Sequence, residues 1–159
     1  MEKKNGPVRV LQLLFMAMLY GQLVFAILVL VLLKTGLFKG VIESKTERIF
    51  EAVSLGVTFI AVATALVLFK KKMEEVKSIA NLAKRFTEYR NACVIKYTLM
   101  EIPSMLAIVF YMLTAKWNFL VIAVIVIFIF MSQNPIRQRI KAELGVDDIE
   151  IDEMNNLEE

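Results

Sequence analysis

Histidine is absent from this sequence, cysteine occurs once, as Cys93, and charge is missing from two long stretches. The first absence removes His-ligated haem, the usual zinc sites and every His-based acid–base or triad mechanism. A lone cysteine forms no intrachain disulfide, and beside an apolar stretch Cys93 reads as a small packing residue. Glycine and proline are sparse, at six and three, and no Gly-rich phosphate loop or internal repeat occurs. With no clustered nucleophile, metal site or cofactor loop, the expected protein is non-enzymatic and carries no cofactor.

The charge-free stretches are residues 10–33 and 117–136, 24 and 20 residues long. A bilayer core of about 30 Å is crossed by a helix of about 20 apolar residues, so each is long enough to span it. The 159 residues are 58% apolar, more than a soluble core of this size can hide. A third apolar segment covers 49–69 and stops at Lys70-Lys71-Lys72, and a fourth covers 91–115 around Lys96, Glu101 and Pro103. Thr114-Ala115-Lys116 leaves room only for a tight hairpin before the last segment. The first segment is too long for a signal-peptide core and no small-residue cleavage pattern follows, so it reads as a retained anchor. These features predict an all-α membrane protein with four transmembrane helices, at 10–33, 49–69, 91–115 and 117–133. Together they form a transmembrane domain over 1–142, followed by an acidic, disordered tail over 143–159.

Basic residues set the expected topology. Thirteen of the nineteen Lys and Arg lie in the N-terminus, the segment between helices two and three, and the C-terminal segment. The positive-inside rule then predicts a multi-pass membrane protein with both termini and the segment between helices two and three cytoplasmic. The basic excess is a topology signal, so the expected partner is the lipid bilayer, and nucleic acid is not.

Residues 70–90 mix charge with apolar residues at Met73, Val76, Ile79, Leu82 and Phe86. This spacing predicts an amphipathic cytoplasmic linker helix, continuous with helix two or three, with Lys70, Lys71, Lys72, Lys84, Arg85 and Arg90 as membrane-surface basic residues. The tail sequence DDIEIDEMNNLEE resembles a calcium loop only in its acidity: Glu153 stands where the sharp turn needs Gly.

Glu101 is the residue that demands an account. It lies 14 positions before Ala115, roughly 21 Å along a helix rising about 1.5 Å per residue. That puts it about one third of the way into a core of about 30 Å from the cytoplasmic side. Lys96 is nearer the cytoplasm and is expected to snorkel to the interface. The shorter Glu101 is expected to face the bundle, protonated, paired or hydrated. Pro103 cannot donate to the Leu99 carbonyl, which frees an acceptor within a turn of Glu101. A carboxylate beside a free carbonyl suits a proton, a water or a cation. Depth selects Tyr20, Thr64 and Ser104 as its candidate ion-site partners, with Gln22 somewhat further out and Gln12 further in. Ala17 and Gly21, and Ala52 and Gly56, are each four apart, a spacing expected at close helix contacts within the chain.

The stretch EYRNACVIKYTLMEIPSMLAIVFYMLTAKWNF resembles small four-helix bacterial membrane proteins of unknown function, whose third helix opens with a Tyr-Arg pair, here Tyr89 and Arg90, and carries a central Glu, here Glu101. More remotely, helices two and three resemble the hairpin of the proteolipid c subunit of rotary ATPases. Helix two here has only Gly56 where the proteolipid helix is Gly-rich, and the loop is long. That resemblance implies an ion-binding role for Glu101 alone. Two functions follow as expectations: an accessory or assembly subunit of an inner-membrane complex, with other subunits or self-association as partners, or a proteolipid-like transport component that binds a proton or cation at Glu101.

Overall fold

The computed structural model describes residues 7–40, 44–147 and 149. They form five helices and, among the described residues, no strand: α1 (Pro7–Lys34), α2 (Ser44–Lys77), α3 (Leu82–Thr114), α4 (Trp117–Met131) and α5 (Arg137–Leu144). α1, α2 and α3 are long and apolar enough to cross a membrane, whereas α4 is an apolar helix of 15 residues.

The linker expected over 70–90 is divided between its neighbours. α2 continues through Lys77 and α3 begins at Leu82, with a break between them. The Ser78 hydroxyl donates to the Glu75 carbonyl at 2.7 Å, ending α2. Asn81 then caps α3 by accepting from the Lys84 amide at 2.9 Å, which satisfies one of the orphan donors of the new helix. The apolar stripe of this segment turns inward: Met73, Val76 and Phe86 are all buried in the core of the chain. They hold the extended ends of α2 and α3 together at the α2–α3 turn.

α3 is the centre of the bundle. Half of its span is buried, against 17% for α1 and 11% for α2. α1 runs parallel to α3, with Phe15 against Tyr97 and Gln22 against Ser104. α2 runs antiparallel, with Phe50 against Phe110 and Phe69 against Tyr89. α4 is also antiparallel, from Phe119 on Phe110 to Phe130 on Tyr97. α1 buries Val8, Leu11, Phe15, Leu19, Gln22 and Val29, the three-to-four spacing of one helix face. Its Ala17 and Gly21, like Ala52 and Gly56 of α2, lie on exposed faces, and an added Cβ at Gly21 or Gly56 meets nothing within 4 Å. The expected small-residue contacts therefore do not form within the chain, because aromatic side chains fill the interfaces. Further along α2, Ala65 is fully buried.

Two backbone details close the outer end. Ala115 caps α3 in the left-handed region at φ 55°, its amide donating to the Tyr111 carbonyl. The loop after α1 passes so near this cap that a Cβ on Gly40 would lie 2.9 Å from the Thr114 carbonyl carbon. Gly40→Ala is therefore expected to destabilise the folded protein by about 1–3 kcal/mol, through overpacking against backbone. Gly21→Ala, with open space around it, is expected to leave stability unchanged or raise it by about 0.5–1 kcal/mol. Unfolding titrations of both variants in detergent check this contrast.

Candidate functional site

Glu101 lies beside a face of α3 that the described residues leave open. α1, α4 and α2 pack around α3, while α1 and α2 scarcely touch each other among the described residues. The remaining face carries exposed Asn91, Ile95, Thr98 and Ile102. Along it lies a depression of about 430 Å³ lined by Thr98, Glu101, Ile102, Met105, Leu106 and Val109. A second depression of about 440 Å³, towards the α2–α3 turn, is lined by Lys72, Glu88, Asn91, Ala92, Val94 and Ile95. Glu101 is half-buried at the edge of this face, and does not point into the bundle as expected.

The depth-matched partners separate. Tyr20 is 62% exposed on the outer face of α1. Thr64 is half-buried on α2, and the antiparallel register set by Phe50–Phe110 and Phe69–Tyr89 puts it level with Lys96, more than a turn inward of Glu101. Only Ser104 approaches, and it meets the main chain: its hydroxyl lies 2.8 Å from the Glu101 carbonyl oxygen and 2.8 Å from Gln22 Oε1. That three-centre donor ties α1 to α3 and leaves the Gln22 amide nitrogen buried with no hydrogen-bond partner among the described residues. Gln12, expected further in, donates to the Pro135 carbonyl at 3.1 Å. No hydrogen bond to the Glu101 carboxylate is found among the described residues, and no group of three His, Cys, Asp or Glu that could hold a metal occurs among them.

The basic residues also divide. Lys70, Lys71, Lys72 and Lys84 are exposed, while Arg85 and Arg90 are half-buried. Lys72 pairs with Glu75 at 3.2 Å. Arg85 turns back to donate from Nε to the Ile79 carbonyl at 2.8 Å, bracing the α2–α3 turn.

The densest polar cluster was not among the candidates. Lys96, expected to snorkel, is 2% exposed. Its ammonium sits over the Phe69 ring, 3.7 Å from the centroid, and 5.3 Å from that of Tyr97, a cation–π arrangement. Glu143 attracts this charge and Arg139 opposes it. Both belong to α5, which is fastened over the inner end of the bundle. The Tyr89 hydroxyl donates to Glu143 Oε2 at 2.6 Å. Arg139 donates from Nε to Glu143 Oε1 at 2.9 Å, and its guanidinium also reaches the Ser132 carbonyl and Gln133 Oε1. The acidic tail expected from Glu143 thus starts inside α5, and Leu144 and Val146 are buried; residues 148 and 150–159 lie outside the described residues. A signal for the cluster was present: Tyr89, Cys93, Lys96, Tyr97 and Met100 recur at three-to-four spacing, one buried face of a helix.

Tyr89→Phe removes a hydrogen bond to a carboxylate, a loss of about 1.5–3 kcal/mol, and is expected to speed tryptic cleavage within α5 by about ten- to a hundredfold. Lys96→Met keeps the bulk and removes a buried charge that forms no ion pair among the described residues, so it is expected to fold with a detergent melting temperature at or above that of the parent. No family model, curated protein or solved structure matches this chain.

Proposed function

We propose that this chain is a non-enzymatic integral membrane protein that serves as an accessory or assembly subunit, with the open face of α3 as its contact for a partner transmembrane segment. The observation that carries this reading is the position of Glu101: a carboxylate within a long apolar helix, on a face that no described helix covers. Such a group is costly against lipid and is relieved by a hydrogen-bond donor on a neighbouring helix. The ion-binding alternative has less support, since the other candidate side chains do not gather at the Glu101 carboxylate.

Four crossings, with both termini and the α2–α3 turn on the cytoplasmic side of a bacterial inner membrane, form part of the same proposal. The distribution of Lys and Arg supports the orientation. α4 follows α3 from Phe110 to Tyr97 and measures about 22 Å at 1.5 Å per residue. That length accommodates to the bilayer by local thinning, with the segment through Pro135 completing the passage. A photo-reactive amino acid at Thr98 or Ile102, irradiated in native membranes, is expected to form an adduct with a polypeptide. Phe59, 78% exposed on α2, serves as the lipid-facing control. Adducts with phospholipid alone at all three positions would overturn the reading. Carbodiimide labelling of Glu101 that falls with added sodium would replace it with ion handling.

A further inference from the structure

We infer that the partner on the α3 face is a second copy of this chain, which docks the outer face of its α1 there so that the Tyr20 hydroxyl donates to the Glu101 carboxyl. This names the occupant of the face proposed above and rests on that reading. The parallel register of α1 and α3, fixed by Phe15 on Tyr97 and Gln22 on Ser104, puts Tyr20 level with Ile102, next to Glu101. Two polar groups therefore meet the hydrocarbon at one depth, a donor 62% exposed on α1 and a half-buried acceptor on α3.

Within one copy they lie on different faces and form no hydrogen bond with each other. Between copies they satisfy each other, which an acyl chain cannot do for either. Ala17 and Gly21 flank Tyr20 on exposed positions, so the α1 backbone can come close to the depression around Glu101. The two surfaces are distinct, and the contact is head-to-tail in kind.

The test keeps Tyr20 and Glu101 in place. Ala17→Cys and Thr98→Cys, each one turn from the proposed hydrogen bond and at matched depth, are introduced into two differently tagged copies that are co-expressed and oxidised in the membrane. The buried Cys93 is 0% exposed, so the parent serves as the background control. A disulfide joining the two tags is expected, with no such product when Ile27→Cys replaces Ala17→Cys. Adding Tyr20→Phe or Glu101→Leu is expected to lower the yield about tenfold, the loss of one hydrogen bond of about 1.4 kcal/mol. Equal yields with Ala17→Cys and Ile27→Cys, or yields insensitive to both polar changes, would overturn the inference. If no disulfide forms while the photo-reactive residue at Thr98 joins a different polypeptide, self-association fails and the accessory reading stands. If only phospholipid is captured, both fail.

Discussion

Tyr97 of α3 is gripped between Phe15 of α1 and Phe130 of α4, whose rings stack 4.8 Å apart and within 5° of parallel while Tyr97 meets both edge-on. The Tyr97 hydroxyl then reaches past them to the Gln133 carbonyl at 3.2 Å. In a bilayer, helices gain little from the hydrophobic effect against one another, so shape-matched contacts of this kind carry association and register. The wedge sets α1 parallel and α4 antiparallel to α3 at one level. The depths of Gln22, Tyr20 and Glu101 relative to each other follow from it.

The same wedge fixes the inner end. α4 finishes beside Tyr97, and the chain can then turn through Pro135 and lay α5 over Tyr89 and Lys96. The ammonium of Lys96 sits over the Phe69 ring with the Tyr97 ring beside it, while Arg139 braces the Glu143 carboxylate and the end of α4. A short helix of eight residues has little stability alone. Its buried Ile140 and Leu144 and the bond from Tyr89 supply what its length does not.

At the outer end the aromatic pairs Phe50–Phe110 and Phe110–Phe119 repeat the arrangement. Between the two aromatic layers the packing is polar: Ser104 bridges Gln22 to the main chain of Glu101, and Ser54 and Thr58 bury hydroxyl oxygens without hydrogen-bond partners. α3 is covered on three sides at this level and open on the fourth. That asymmetry leaves Glu101 half-buried at the edge of the open face, in line with the partner contact proposed for it.

Uncharged runs long enough to span a bilayer already mark the chain as helical and suited to a membrane, because a helix satisfies its own backbone hydrogen bonds there. Pro103 shows the limit of such reading: it marks a break in hydrogen bonding, yet α3 runs through it from Leu82 to Thr114. Position along a helix converts directly to distance, so the level of Glu101 within its apolar segment is legible from the sequence. Azimuth was decided only by tertiary structure. Which way a side chain faces depends on the contacts its helix makes, and those lie more than 80 residues away in sequence for Phe15–Tyr97 and Gln22–Ser104. The stripe of small residues on α1 looked like an interface by spacing, but the larger aromatic face was the one that packed. Lys96 looked free to reach water by length, but the rings of Phe69 and Tyr97 and the fold-back of α5 enclosed it.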